Sequence, residues 1–454
     1  MWFVSATWGA SLLPGISQWR PVLPPGPHAR HRAPLARTES LLPNPLQTEA
    51  IRSDNSAVLV LASPGTGKTR VLRARMAYLL MSKGVPSDRI LTVAFSQHAV
   101  SQLRTRVGAF TDTKGMWLGT FHSICARMVR QHHELLELPR GFTVLPEGEQ
   151  RKIVRELVAR EQRRRPYALP WAAGSGGYER EAAVLQQLLL WKEKGLRPGE
   201  VPEPQDGSLV ALARAVYPEY QRALRSRDAL DYPDLTLGAL RLFQRHPHVL
   251  RAYRAQFDHI LCDELQDTSA VQYEWLRRLA SPRLATAASA PAYSSVFCAA
   301  DDDQAIYAWR GAERNNVLRF QHDFPGLALI RLPRTYRCSP HVLGAAQALI
   351  AQAPPLVPKT CFSDSTAEED RYEPPRVVLR GFWDSAEETS WLAAQIGARH
   401  AAGERYAQMA VLVRSAEHAR AIAAALMAAG VPVTSQAEAA AAAVAWWASA
   451  EVAS

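Results

Sequence analysis

Five short apolar runs without polar alternation constrain the fold of this chain most strongly: VLVLA (58 to 62), ILTVAF (90 to 95), HILC (259 to 262), SVFCAA (295 to 300) and LALIRL (327 to 332). A strand that is apolar on both faces must be covered on both, and the usual solution is a parallel sheet sandwiched between helices. The first run leads through a loop into a helical period in which Leu72, Met76, Leu79 and Leu80 share one face. The expected fold class is α/β, with loops at the strand ends free to carry chemistry.

Between about Ala126 and Arg227 the strand signal fades and charge-rich helix formers take over, RKIVRELVAREQRRR among them. A helical insertion into the α/β domain is expected there. A second α/β stretch begins near Arg376. It comprises RVVLRGF as a strand, a helix opened by Ser385 with Glu388 completing a capping box, the strand MAVLVR, and a helix ending at Gly430. Two linkers stand out, SPRLATAASAPAYSS (281 to 295) and STAEEDRYEPP (365 to 375). After Thr434 the alanine-rich QAEAAAAAVAWWASAEVAS is compatible with helix but has no strand or turn signals. The second α/β domain is therefore expected to stop after its first few elements.

With 47% hydrophobic and 21% charged residues the chain is not disordered as a whole. A formal charge of +10 favours a polyanionic partner. The five cysteines are scattered without CxxC spacing or a Cys/His cluster, so no zinc site or disulfide framework is indicated and a reducing, intracellular compartment fits best. The apolar runs fall well short of the ~20 residues that cross a bilayer, so no membrane partner is expected. The first 38 residues lack Asp and Glu and carry Arg20, Arg30, Arg32 and Arg37. That composition suits an organelle transit peptide and equally a tail without a fold.

Chemistry enters at ASPGTGKT (62 to 69), which follows an apolar strand and opens a helix. A phosphate-binding loop needs this context: Gly65 and Gly67 let backbone N–H groups turn inward, Lys68 supplies a point charge, and Thr69 offers a hydroxyl to Mg²⁺. The candidate ATP-binding set is Ala62, Ser63, Pro64, Gly65, Thr66, Gly67, Lys68, Thr69 and Arg70. A second strand ends in HILCDELQD, where Asp263 is placed to hold Mg²⁺ through water and Glu264 to polarise an attacking water. The alternative, that this acidic pair favours the positive end of the next helix, leaves the paired loop unexplained.

A series of ordered motifs then resembles the UvrD/Rep-like superfamily 1 DNA helicases. LLPNPLQTEAI resembles their Q motif, VAFSQHAVSQLRTRV motif Ia, MWLGTFHSICARMVR motif Ib and ILCDELQDTSAVQY motif II. AADDDQAIYAWRGA resembles motif III, LPRTYRCSPHVL motif IV, and MAVLVRSAEHARAIAAAL the next element of the second motor domain. The resemblance implies a RecA-like P-loop sheet with a helical insertion, plus an incomplete second RecA-like domain. It divides the chain into a leader (1–40), domain 1A (41–125 and 228–335), insertion 1B (126–227), the start of domain 2A (336–434) and an alanine-rich tail (435–454).

By that resemblance Gln47 reads the adenine edge, Gln304 senses the γ-phosphate and links it to the DNA track, and Arg337 reaches the γ-phosphate. Phe95, Tyr307 and Trp309 are implied to stack single-stranded bases, while Thr120 and His122 touch the DNA backbone. Core packing is the competing reading for each aromatic. The implied ligands are ATP, Mg²⁺ and single-stranded DNA, including junctions of single and double strands. The implied activity is 3′-to-5′ helicase or translocase work in repair or replication, in the nucleus or a DNA-containing organelle. Ser63, Leu265 and Ala305 depart mildly from the family pattern, and nothing after Thr434 resembles motifs V and VI. Three readings follow: a helicase whose sequence is cut short, a short binding module for single strands or a partner helicase, and an unrelated P-loop kinase, which motifs Ib and III oppose.

Overall fold

The computed structural model describes residues 2–4, 42–108, 115–164, 177–203, 209–280, 294–353, 356–363 and 377–434. Most of the leader, most of both linkers and the alanine-rich tail lie outside them. The chain forms two compact units, one running Leu42–Val377 and the other combining Met1–Leu41 with Val378–Ser454.

In the larger unit the five apolar runs, joined by Trp117–Thr120, form a six-stranded sheet from Ala57–Ala62 (β1), Ile90–Ala94 (β2), Trp117–Thr120 (β3), His259–Cys262 (β4), Ser295–Ala300 (β5) and Ala328–Leu332 (β6). The spatial order is β3-β2-β4-β5-β1-β6, and every neighbouring pair is parallel. Alternate residues point to opposite faces. Leu59, Leu61, Leu91, Val93 and Ile260 enter one core, while Val58, Val60, Ile90, Leu261 and Phe297 enter the other. Burying a Leu or Val completely contributes about 1.5–3 kcal/mol, so a run apolar on both faces is stable only where helices cover both.

This order places the chemistry. Because all strands are parallel, their C-terminal ends share one edge, where open α/β sheets bind ligands. Reading along that edge from β3 to β1, the residues at or just past the strand ends are Thr120, Phe95, Asp263, Asp301 and Ser63. The candidate strand-binding residues thus fall at one end and the loop at the other, with the carboxylates between.

The chain leaves the sheet after helix Phe121–Gln131, which is capped by the Thr120 hydroxyl accepting from Ser123 N. A parallel bridge, Thr143–Val144 on Ala229–Leu230, closes the neck of the helical excursion. Within it, helices Glu147–Arg164, Gly177–Glu193 and Leu209–Arg225 enclose their own core, including Val154, Leu188, Val216 and Tyr217. The excursion is fastened to helix Tyr232–Arg245 by a buried ion cluster. Lys192 Nζ reaches Asp231 Oδ2 and, at 2.9 Å, Asp234 Oδ2, while Tyr220 OH donates to Asp231 at 3.1 Å.

In the smaller unit, helices Ser385–Ala401 and Ala416–Ala428 pack through Leu392, Ile396, Ile422 and Leu426. The strand Ala410–Leu412 pairs in parallel with Trp2–Val4. Two expectations are corrected here. RVVLRGF forms no strand among its described residues: Val378 and Leu379 are 70% and 83% exposed, and two apolar side chains in sequence do not make a strand without a ladder partner. The helix cap is Asp384, which accepts from Glu387 N, one residue earlier than expected; a carboxylate serves the helix N-terminus better than the Ser385 hydroxyl. Among the described residues no helix is long and apolar enough to cross a membrane.

Candidate functional site

The loop after β1 turns at two glycines with positive φ, Gly65 at 76° and Gly67 at 98°. Both are required by close approach as well as by backbone angle. A Cβ on Gly65 would lie 2.4 Å from Arg337 Cβ, and one on Gly67 would lie 2.9 Å from Gln47 Nε2. Gln47 is 1% exposed and donates to Thr66 O at 3.0 Å. Asn44 holds it in place through a capping box at the start of helix Pro45–Arg52. On the opposite side Tyr336 N donates to Gly65 O at 3.0 Å and Thr335 Oγ1 to Pro64 O at 2.7 Å, which brings Arg337 to the loop.

Lys68 begins helix Lys68–Ala77, and its ammonium donates to Ala62 O at 3.1 Å. It also faces two carboxylates, Asp301 Oδ2 at 3.5 Å and Glu264 Oε2 at 3.8 Å. Burial, and then the neighbouring Glu264, push the Asp263 carboxyl up to about 7; Thr69 hydrogen-bonds to it. The same two causes, in the same order, push Asp267 up to about 7, and its Oδ1 is buried without a hydrogen-bond partner. A site that crowds carboxylates out of water in this way fits a divalent cation, which would restore their ionised form. Burial also works against the Asp301 carboxylate, yet Lys68 and Lys359 beside it hold it below the usual range.

Glu264 adopts a left-handed backbone, φ 52° and ψ 54°, at a cost of roughly 1–2 kcal/mol for a residue with a side chain. Gln266 helps to hold it there, donating to Glu264 Oε2 at 2.8 Å while its own Oε1 accepts from Asp301 N at 2.9 Å. One amide therefore ties the end of β4 to the end of β5. Strain retained at such a position is a mark of functional sites.

Gln304 lies past β5 in the turn Asp302–Gln304, its amide donating to Asp301 Oδ2. Three residues on, the Tyr307 ring meets Phe95 at 4.6 Å between centroids, and Trp309 lies 6.3 Å beyond. Trp309 is 59% exposed, with Arg310 over its ring at 5.5 Å. An exposed aromatic beside a guanidinium can receive a base on its face. A cleft of 390 Å³ joins these groups to the carboxylates: Thr69, Asp263, Glu264 and Gln304 line it together with Phe95, Ile306 and Tyr307. The two candidate backbone contacts differ. The Thr120 hydroxyl is engaged as a helix cap, whereas His122 Nε2 is 3.8 Å from Glu193 Oε1 and its ring packs edge-on against Tyr232.

Comparison with known proteins gives a family to this arrangement. The profile described as UvrD/REP helicase N-terminal domain matches residues 43–325, and that described as UvrD-like helicase C-terminal domain matches 330–439. The chain belongs to the UvrD/REP helicase family. It is 33% identical over 379 residues to the probable DNA helicase II homolog of Rickettsia felis, covering 82% of this chain and 53% of that protein. To DNA helicase II of Escherichia coli it is 32% identical, covering 86% of this chain and 50% of that protein. The ATP-dependent DNA helicase PcrA of Staphylococcus epidermidis is 28% identical, with coverage of 86% and 50%. The chain thus spans about half the length of the curated relatives it matches.

Within this UvrD/REP chain several site residues escape a motif-by-motif reading. Gln266 and Asp267 stand inside DELQD, and Asp301 is the first aspartate of DDDQ, so the strings that carry them were visible although their roles were not. Lys359 has no local signal at all. It follows a proline-rich stretch and reaches the aspartates only through tertiary structure.

Proposed function

We propose that these 454 residues are the ATP-binding and single-strand-binding portion of a 3′-to-5′ DNA helicase or translocase that serves repair or replication. The observation that carries this reading is the single cleft lined by the phosphate-loop threonine, the acidic pair, Gln304 and the Phe95–Tyr307 stack. Gln47 would read the adenine edge, the loop from Ala62 to Arg70 would cradle the phosphates, and Arg337 would approach the γ-phosphate. Thr69 and Asp263 would hold Mg²⁺, which when bound neutralises phosphate charge. Glu264 would accept the proton of the attacking water. Phe95, Tyr307 and Trp309 would stack bases, with His122 and Thr120 near the backbone. We assign residues 41–125 and 228–335 to domain 1A, 126–227 to insertion 1B and 336–434 to the start of domain 2A. The protein would work where the DNA is, in the nucleus or a DNA-containing organelle, on single strands and their junctions with duplex.

Trp309→Ala should weaken binding of a fluorescent oligothymidylate by roughly 1–3 kcal/mol if a base stacks there. Fluorescence anisotropy reads this directly, and an unchanged affinity returns Trp309 to a packing role. These 454 residues carry nothing similar to motifs V and VI, and the family's arginine of motif VI is of a kind worth ~10³–10⁵ in rate in related phosphoryl-transfer sites. Purified as it stands, the chain should therefore bind Mg-ATP and single strands yet displace no strand from a duplex with a 3′ tail. Robust ATP-dependent displacement would contradict this and exclude the second reading, a binding module that does not unwind.

A further inference from the structure

We propose that Lys359 is a positioning residue of the nucleotide site, an internal ammonium that occupies the pocket of Asp301, Asp302 and Asp303 and thereby keeps Lys68 available to phosphate. The inference rests on the nucleotide reading above and goes beyond it in naming what holds the site ready.

The Lys359 side chain is 8% exposed and meets all three carboxylates: Asp301 Oδ1, Asp302 Oδ1 at 2.6 Å and Asp303 Oδ2 at 2.9 Å. One oxygen from each aspartate falls within 4.8 Å of the others, a spacing at which a cation can be shared. Burial disfavours the ammonium, but the three carboxylates outweigh that and keep it charged. Arg314 approaches Asp302 and Asp303 at 3.3 and 3.6 Å.

The consequence lies at Asp301, whose two oxygens are divided. Oδ1 takes Lys359, while Oδ2 takes the Gln304 amide and faces Lys68 at 3.5 Å. Lys68 must loosen this last contact before its ammonium can turn to a phosphate. With Lys359 in place, Asp301 is already neutralised and the contact is loose. Without it, a buried carboxylate would draw Lys68 inward, because an unpaired buried charge costs several kcal/mol and takes the nearest counter-ion. The vacated pocket would also attract a divalent cation.

The test uses the whole 454-residue chain and two probes, Mg-ATPγS binding at equilibrium and Mn²⁺ binding without nucleotide followed by electron paramagnetic resonance. Lys359→Met should bind Mg-ATPγS about 10-fold more weakly than wild type, within the usual range for coupled sites. It should also hold one Mn²⁺ more than wild type. Lys359→Arg, which keeps the charge, should bind Mg-ATPγS as wild type does. The charge-balanced double variant Lys359→Met/Asp301→Asn, which removes the charge that would draw Lys68 inward, should recover most of the affinity, and it carries the test if Lys359→Met does not fold. Equal affinity in wild type and folded Lys359→Met would overturn the proposal. So would a loss that neither Arg nor the double variant restores, since that is the signature of packing alone. If wild type binds no Mg-ATPγS, the nucleotide assignment itself fails and this inference with it.

Discussion

Lys68→Ala should lower the affinity for Mg-ATP by roughly 10- to 100-fold, since a hydrogen bond to a charged group contributes about 1.5–3 kcal/mol. The Lys68 ammonium is shared among Ala62 O, Asp301 and Glu264. Its removal leaves Asp301 with Lys359, so the fold should survive and the loss should appear in binding. Glu264→Gln separates binding from chemistry. The amide keeps the size of the side chain but cannot take a proton, so nucleotide affinity should persist while hydrolysis falls by ~10²–10⁴, the usual contribution of a general base. Equilibrium titration and single-turnover hydrolysis distinguish the two variants. Equal ATP affinity in wild type and Lys68→Ala would remove Lys68 from the phosphate site.

Lys192→Met should cost about 3–5 kcal/mol of folding stability, the penalty for removing one partner of a buried ion cluster. Lys192 and Asp231 are both 0% exposed and Asp234 is 7% exposed. Burial pushes Asp231 up to about 6, and Asp234 adds to the shift. Burial also acts on Asp234, but there the Lys192 ammonium prevails and holds the carboxyl below its usual range. With methionine at 192, both carboxylates lose that cation and their folded-state pKa values rise. A raised carboxylate pKa stabilises the fold only while the group stays protonated, so the deficit should grow as pH rises from the acid range to neutrality. Denaturant melts of wild type and variant at two pH values check both size and sign. Because the cluster joins the helical excursion to helix Tyr232–Arg245, a deficit below about 1 kcal/mol at neutral pH would show that core packing alone fastens it.

Sheet and site were legible to different depths. VLVLA declares a buried strand because it has no polar residue to face water and HILC because only its first residue, His259, is polar, and their neighbours ASPGTGKT and DELQD declare the chemistry by following them. RVVLRGF has the same local texture but forms no strand among its described residues, since pairing depends on a partner that no local window contains. The cap lies at Asp384, one position before the expected Ser385, because both are good caps and the backbone chooses between them. Lys192 and Lys359 were the hardest to see. Lys192 opens the charged run KEK and Lys359 follows a proline-rich stretch, neither of which points to an ion pair, and only the tertiary fold reveals carboxylates around them.

Nucleotide and single strand are expected to meet in a common cleft through the segment Asp301–Trp309. The most direct measurement is the affinity of the purified chain for a fluorescein-labelled oligothymidylate, with and without saturating Mg-ATPγS. Because Gln304 and Tyr307 share that short segment and line the same cleft, the nucleotide should change the affinity by ~5-fold or more, and Lys68→Ala should abolish the change. Binding of both ligands with one unaltered affinity, nucleotide present or absent, would contradict the shared cleft.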